Sequence, residues 1–329
     1  MEIRQARPSD QNALIELERQ TPLDMGESVL FFDHSPDFFA QLRLQEHPRV
    51  MVAEESGKLI ACLCGVWYET MLRGRRLRIL YVYRGRIPPG RQRSGLGTAL
   101  AGALIQRCHR YNVRSAYWLI SPDNKRSMAF GHRNGGVADL AGRLSLLTLP
   151  ANKTRGSVRL RPVGRDEIKS VNALLNQTHA HQELFLPYTP ARLNRRLSRS
   201  PDYNWDSIYG VDDQGELAAV IGLWDQGRHA RLIAVDRASG RSRTVSRALI
   251  ADYGYKPGAE ELFCGLLREA AKLIAGWGRS ELLITVPSGS FLVDSLSDLN
   301  PGMQTLCFLL AGEARGKAVS EVWLDPIYL

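Results

Sequence analysis

No apolar run in the 329 residues approaches the roughly 20 that a membrane-spanning helix requires, so no spanning segment is expected. Met1-Glu2-Ile3-Arg4 leads straight into a strand-like segment without the pattern of a signal peptide, and the expected location is the cytoplasm. Cysteine is scarce. Cys62, Cys64, Cys108, Cys264 and Cys307 are an odd number, each in an apolar stretch, which fits buried thiols in a reducing compartment better than a disulfide framework. Cys62-Leu-Cys64 has the wrong spacing for a zinc knuckle and alternates as a strand does. His179-Ala-His181 with Glu183 has no third ligand cluster, so it reads as a polar helix end and no metal is expected. A motif that interleaves aromatic and basic residues to read nucleic acid is also missing, so a nucleic-acid partner is not expected.

What is present is an ordinary globular composition, 44% hydrophobic and 23% charged, in a chain long enough for two domains with cores of their own. The net charge of +9 is uneven. Residues 1–150 hold 21 Lys and Arg against 14 Asp and Glu (+7), whereas 151–329 hold 22 against 20 (+2). The first half therefore attracts an anion more strongly, and a nucleotide cofactor with several phosphates explains that as well as nucleic acid does.

Alternation and turn residues place strands at Ile3–Arg7, Arg49–Glu55, Leu59–Met71, Leu77–Ile87 and Ser115–Ile120. Helices are expected at Gln11–Gln20, after the start signal Pro8-Ser9-Asp10, and at Leu96–Tyr111, where Leu96, Leu100, Ala103, Leu104 and Cys108 recur at helical spacing. The second half repeats this β-α-β-β-β-α-β order. Val158–Pro162 echoes Ile3–Pro8, and helix Asp166–Leu175, strands Trp205–Val211, Leu217–Trp224 and Thr244–Tyr253, helix Ala259–Trp277 and strand Glu281–Val286 follow. A period of about 155 residues argues for duplication of a whole domain. The fold class is α/β with a mixed (α+β) sheet, divided into domains 1–150 and 157–329 at the polar stretch Ala151–Gly156. Arg192, Arg195, Arg196 and Arg199 share one helical face and are expected to be solvated.

The most informative segment runs from Ile87 to Leu100: a strand end, a loop with two glycines, and then a helix. Gly95 and Gly97 let backbone N–H groups approach a ligand closely, and the positive end of the following helix suits a pyrophosphate, with Arg91 and Arg93 adding charge. A lone Gly-x-Gly is weak evidence, equally open to a helix that merely starts after a turn. The wider pattern Gln92-Arg-Ser-Gly95-Leu-Gly97 resembles the Gln/Arg-x-x-Gly-x-Gly/Ala signature of GNAT N-acetyltransferases, with Ile87-x-Pro89 similar to the family's Val-x-Pro and Asn124-Lys-Arg-Ser127 similar to its Asn-x-x-Ala/Ser. The resemblance implies two tandem GNAT-like domains and acetyl-CoA as co-substrate, held by Ile87, Gln92, Arg93, Ser94, Gly95, Leu96, Gly97, Thr98 and Asn124. It also implies an N-acetyltransferase that passes acetyl directly to the amine of a small molecule or peptide.

The resemblance fails in places. The family's acidic Tyr, four residues after its Asn-x-x-Ala, is Gly131 here, and its following Gly-Phe is Gly135-Gly136. Nor does Leu80-Tyr81-Val82-Tyr83 supply the carboxylate that relatives carry on the corresponding strand. His132, Tyr83 and Tyr81 are left as the candidate catalytic groups. The alternative is a CoA-binding regulatory protein without turnover. The second half has lost the loop, since Asp252-Tyr-Gly-Tyr-Lys-Pro-Gly258-Ala-Glu-Glu261 lacks paired glycines and sets acids where phosphate would lie, which makes it a degenerate copy. Two readings concern the edges of the site. Acids and aromatics within 21–40 (Asp24, Glu27, Asp33, Asp37; Phe31, Phe32, Phe38, Phe39) suit a cationic amine or simply cover the sheet. The final stretch Val319–Leu329 alternates as a strand, and its terminal carboxylate on Leu329 is a further possible base.

Overall fold

Three two-residue turns set the strand order locally. Ser56-Gly57, Arg73-Gly74 and Gln214-Gly215 all have positive φ at both residues (51° and 75°, 50° and 70°, 49° and 85°), the geometry of the type I′ turn that matches strand twist and closes tight hairpins. The computed structural model describes residues 1–24, 28–134, 139–151, 158–199, 202–316, 318–319 and 321–328, without the side chains of Asp24, His132, Arg133, Asn134, Asp139 and Tyr328. In chain order the elements are β1 (Glu2–Gln5), α1 (Gln11–Arg19), β2 (Leu23–Asp24), β3 (Ser28–Asp33), β4 (Pro48–Glu55), β5 (Lys58–Leu72), β6 (Arg75–Arg86), α2 (Leu96–His109), β7 (Ser115–Ile120), α3 (Lys125–Asn134) and β8 (Asp139–Pro150). There follow β9 (Arg161–Pro162), α4 (Ile168–His179), α5 (Pro190–Leu197), β10 (Ile208–Asp213), β11 (Glu216–Trp224), β12 (Arg231–Asp236), β13 (Ser242–Val245), β14 (Arg247–Tyr255), α6 (Glu260–Gly276), β15 (Glu281–Pro287), α7 (Leu292–Ser295) and β16 (Gly302–Gly312).

The chain divides into two compact units. Unit 1 takes Met1–Arg143, His229–Thr244 and Thr305–Ser320, and unit 2 takes Leu144–Arg228, Val245–Gln304 and Glu321–Leu329. This differs from the contiguous division at 1–150 and 157–329. The difference comes from strand pairing: β16 hydrogen-bonds to β7 and completes the sheet of unit 1, while β8 hydrogen-bonds to β15 and completes that of unit 2. Local composition carries no sign of such pairings.

In unit 1 the sheet order is β1-β4-β5-β6-β7-β16, antiparallel except for the parallel pair β6–β7. Alternate residues sort between the faces. Ala61, Leu63, Trp67, Leu80, Val82, Ala116 and Trp118 face α2 and enclose Leu96, Leu100, Leu104 and Cys108. Gly65 allows this packing, since a Cβ there would lie 2.7 Å from Leu104. The other set, Cys62, Cys64, Val66, Tyr68, Tyr81, Tyr83 and Tyr117, lies on the face toward α1, and a small sheet β13-β12-β3-β2 belongs to the same unit. In unit 2 the order is β8-β15-β14-β11-β10-β9, with α6 burying Phe263, Leu266, Leu267, Ala270 and Ile274 on one face. Helix α4 lies on the other so closely that a Cβ on Gly254 would meet the Leu174 backbone at 2.6 Å.

The internal repeat shows in side-chain chemistry. Arg4 donates to Asp10 (2.7 and 2.9 Å) and Glu54 (2.8 Å) in unit 1; Arg161 donates to Glu167 (2.8 Å twice) and Asp212 (2.7 and 2.6 Å) in unit 2. Asp10 also accepts from the Arg7 amide (2.6 Å) and Glu167 from the Gly164 amide (3.2 Å), so each carboxylate caps the turn that begins the following helix. The repeat is therefore registered on Arg4 and Arg161 rather than on the prolines.

Some expectations are corrected. Among the described residues of 319–329 there is no strand, only a single bridge, Glu183 to Val322, and a short 3-10 turn at Pro326–Tyr328, because these residues bond mainly to side chains and loops. Leu329 lies outside the described residues. The arginines at 192, 195, 196 and 199 are not uniformly solvated. Arg195 is exposed, whereas the Arg196 side chain is 11% exposed and donates to Asp252 (2.7 Å), Asp325 (3.0 Å) and the Ala251 carbonyl (3.1 Å), and Arg192 lies over the Tyr188 ring. All five cysteines are free and buried.

His179 illustrates how the second core is closed. Each ring nitrogen faces an oxygen, Nε2 the Tyr253 carbonyl at 2.7 Å and Nδ1 the Gln182 Oε1 at 2.9 Å, and in the neutral ring one of the two donates. Burial lowers its pKa from 6.5 to about 4, so it is neutral in the fold. Above the unfolded value neither state binds the proton. Below it the unfolded chain gains a proton that the fold refuses, and stability is lost as pH falls, by about 3 kcal/mol at pH 4. A His179→Gln variant should therefore show a shallower decline of urea midpoint between about pH 6.5 and 4 than the native chain; equal slopes would contradict this assignment.

Candidate functional site

Parallel strands β6 and β7 pair only at Ile79–Ser115, Leu80–Ala116 and Tyr81–Tyr117, yet β6 continues to Arg86 and β7 to Ile120. Past Tyr81 the two strands part and leave a wedge at their carboxyl ends, the place where open α/β sheets accept ligands. A β-bulge marks one wall. Arg84, at φ 47°, and Gly85 together stand opposite Leu63 of β5, which re-aims the backbone where the wedge opens.

The loop from Ile87 to Gly95 leads from this wall to α2. Ile87 follows the end of β6, and its carbonyl accepts from Gln92 Nε2 at 3.3 Å; Gln92 Oε1 in turn accepts from Arg126 at 3.0 Å, which ties the loop to α3. Ser94 Oγ donates to the Arg91 carbonyl at 2.7 Å. Arg93 (φ 65°) and Gly95 (φ 82°) are left-handed, and Gly95 is the N-cap of α2. The first intrahelical bond there is Ala99 N to the Gly95 carbonyl, so the amides of Leu96, Gly97 and Thr98 precede it, with no acidic residue in the first turn and no side-chain cap. Gly97 is required by packing, since a Cβ would lie 2.8 Å from Phe130 and 3.3 Å from Ile87. Such an uncapped helix end is suited to an anion. Arg91 is committed to Glu55 (2.6 Å), whereas Arg93 makes no hydrogen bond or ion pair among the described residues. Asn124 accepts from the Ser127 amide at 3.0 Å and so caps α3.

Of the candidate catalytic groups, Tyr81 and Tyr83 are both buried on the α1 face. Their rings stack at 5.1 Å, and Tyr83 donates to Gln45 Oε1 at 2.5 Å. Burial pushes both phenols above their ordinary value, so they remain protonated donors. His132 belongs to α3, but its side chain lies outside the described residues. Gly131 has a steric explanation: a Cβ would meet Leu309 at 2.8 Å and Ile120 at 3.5 Å, so a side chain at 131 would point into the α2-side core rather than toward a ligand.

Four polar residues beside the bulge were not anticipated. Glu18 and His34 are fully buried, with His34 Nδ1 at 2.8 Å from Glu18 Oε2; Arg86 lies 3.8 Å from the other carboxylate oxygen, and Arg84 donates to Gln41. Burial by itself would raise the Glu18 pKa, but the His34 hydrogen bond and the charges of Arg86 and Arg84 outweigh it and hold the carboxyl below its usual range. Burial together with Arg84 lowers the imidazole, so His34 is neutral, donates through Nδ1, and keeps an unpartnered basic Nε2. A signal did exist in the sequence, since Glu18 stands four residues after Leu14 on the buried stripe of α1. Within 21–40 the acids are neutralised locally: Asp33 by Arg19 (3.3 Å) and Asp37 by Arg43 (2.5 Å). Glu27 lies outside the described residues, as does the side chain of Asp24.

Unit 2 repeats the parting of strands but not the opening. β14 and β15 pair only at Arg247–Glu281, Ala248–Leu282 and Leu249–Leu283. Beyond that point Asp252 accepts from Tyr188 (2.9 Å), Tyr203 (2.5 Å) and Arg196, while Thr285 donates to the Leu324 carbonyl (2.9 Å) and Arg196 grips Asp325. Residues 322–327 thus fill the gap. At the start of α6, Glu260 accepts from the Gly258 amide (3.3 Å) where a phosphate would lie. Among the described residues no His, Cys, Asp and Glu cluster could hold a metal, and no helix is long and apolar enough to cross a membrane.

Residues 12–135 match the model of the Acetyltransferase (GNAT) family. Among solved structures, Saccharomyces cerevisiae N-myristoyltransferase with bound myristoyl-CoA shares the fold at a TM-score of 0.70 and 13% identity, over 99% of this chain and 81% of that one. A second structure of that yeast enzyme gives the same TM-score at 14% identity, covering 99% and 85%. A conserved protein of unknown function from Enterococcus faecalis V583, described as a probable N-acyltransferase, aligns over 94% of this chain and 72% of its own at 11% identity and a TM-score of 0.52. No curated protein matches in sequence.

The packing around Gly131 is testable. Gly131→Tyr should lower the free energy of unfolding by about 1–3 kcal/mol through overpacking against Leu309, measured by urea denaturation. A neutral or stabilising effect would show that a tyrosine is accommodated and that the steric account is mistaken.

Proposed function

We propose, from the match of residues 12–135 to the model of the acetyltransferase (GNAT) family and from the fold shared with an N-myristoyltransferase, that the chain is an N-acetyltransferase using acetyl-CoA bound in unit 1. The observation that carries the proposal is the coincidence of the uncapped α2 start at Gly95–Thr98 with the wedge between β6 and β7. The backbone amides of 94–98 and the unpaired Arg93 hold the pyrophosphate, Gln92 and Ile87 shape the loop, and the pantetheine follows the unpaired edge of β6 past the bulge. The yeast enzyme of the same fold carries an acyl-CoA, which supports the same class of donor here.

Bound there, acetyl-CoA supplies a thioester. An amine attacks its carbonyl carbon, forming the C–N bond; the C–S bond then breaks, the amine loses a proton, and the departing thiolate gains one. Holding the amine beside the thioester contributes much of the rate. Tyr83, protonated and oriented by Gln45, is the group proposed to reprotonate the sulfur, with Tyr81 fixing its ring by stacking. The amine acceptor is a small molecule or a peptide.

A second reading, binding without turnover, is favoured by the lack of a carboxylate in Leu80-Tyr81-Val82-Tyr83, where relatives carry one. The two separate in one pair of measurements. Acetyl-CoA at about 100 times Kd should stabilise the native chain by about 2.7 kcal/mol, seen as a rise in Tm, and Gly95→Glu should remove that rise. No rise in the native chain would refute donor binding. Free thiol released on addition of members of an amine panel supports transfer; a Tm rise with no thiol release supports the second reading.

A further inference from the structure

The wedge ends on aromatic rings. Where β6 and β7 first pair, Tyr81 and Tyr117 are register partners whose rings stack at 4.7 Å. Tyr117 is fixed from two further sides, by a hydroxyl contact of 2.8 Å with Tyr68 and by the Phe308 ring at 5.3 Å. All four are buried: Tyr117 and Phe308 are 0% exposed, Tyr81 3% and Tyr68 4%. They come from β5, β6, β7 and β16, so the closed end is supported by strands rather than by a loop.

We infer that the Tyr81–Tyr117 stack, locked by Tyr68 and Phe308, is the floor of the acyl pocket and restricts the donor to acyl groups of two or three carbons. The inference rests on the donor site proposed above and adds the residues that set chain length. From Arg86 to Val82 the open part of β6 is five residues, roughly 16 Å at the usual rise per residue. A pantetheine arm lying along it brings the thioester toward the Tyr81 end. A longer acyl chain must then displace stacked rings or leave the wedge. Neither ring yields cheaply, because rotating Tyr117 breaks its bond to Tyr68 and empties space between Tyr81 and Phe308. In a pocket so filled, methylenes beyond the third carbon have no room, and acyl groups longer than three carbons are disfavoured by about tenfold or more.

The test is the affinity of the full chain for CoA, acetyl-, propionyl-, hexanoyl- and myristoyl-CoA by calorimetry. Acetyl- and propionyl-CoA should bind at least as well as CoA, and hexanoyl- and myristoyl-CoA at least about tenfold more weakly than acetyl-CoA. In Tyr117→Ala the hexanoyl-to-acetyl ratio should rise by about tenfold or more, while Tyr117→Phe, which removes only the hydroxyl, should keep the native preference. If Tyr117→Ala does not fold, Phe308→Ala reads the same floor from β16, and the native chain-length series stands without either variant. Equal native affinities for acetyl- and myristoyl-CoA would overturn the floor while leaving donor binding intact. If no CoA species binds, the donor site and the floor fall together.

Discussion

Parallel strands held side by side satisfy each other's amides and carbonyls, and the central feature of unit 1 is that β6 and β7 stop doing so after Tyr81 and Tyr117. Everything at the site follows from that parting. The α2 face remains a continuous apolar core, so the sheet does not come apart, and the bulge at Arg84-Gly85 lets β6 diverge without losing its antiparallel ladder to β5. The chain then turns back through Gly95 and begins α2 with its first amides directed away from any side-chain cap. An opening in hydrogen bonding and a helix end with positive character meet at one place.

The same parting occurs in unit 2, which makes the contrast informative. There the gap is lined by Asp252, filled by residues 322–327 and closed by Arg196, buried between two carboxylates. A buried arginine is tolerable only with such partners, since an unpaired one would carry a heavy desolvation cost. Burial disfavours its charged form, but Asp252 and Asp325 outweigh that and hold its pKa well above the ordinary value. Acids at the start of α6 remove any attraction for phosphate. One copy of the repeat parts its strands beside an uncapped helix start, whereas the other uses the same parting to seat a segment of its own chain.

The polar group beneath the β6 bulge shows how much tertiary context decides. Glu18 lies on the buried stripe of α1, four residues after Leu14. In the fold it is fully buried, ionised, and matched by neutral His34 and by Arg86 and Arg84, which reach it from strand β6. Similarly, Gly131 reads as the loss of an acid and turns out to be a contact surface for Leu309, a residue 178 positions away in the chain.

What the sequence determined by itself was everything carried by short-range pattern. The Ser56-Gly57, Arg73-Gly74 and Gln214-Gly215 turns, the alternation of β4, β5 and β7, the period of α2 and the glycine loop at 92–98 are properties of neighbours in the chain, and they stand close to where periodicity and turn chemistry put them. The repeat was legible too, although its register waited for Arg4 and Arg161. Tertiary structure alone decided that β16 completes the sheet of unit 1 and β8 that of unit 2, that residues 322–327 fill a gap instead of forming a strand, and that Arg196 is buried. These depend on pairings between segments far apart in the chain. The energy of such a pairing lies in the partner's backbone and packing, of which the local sequence holds no record.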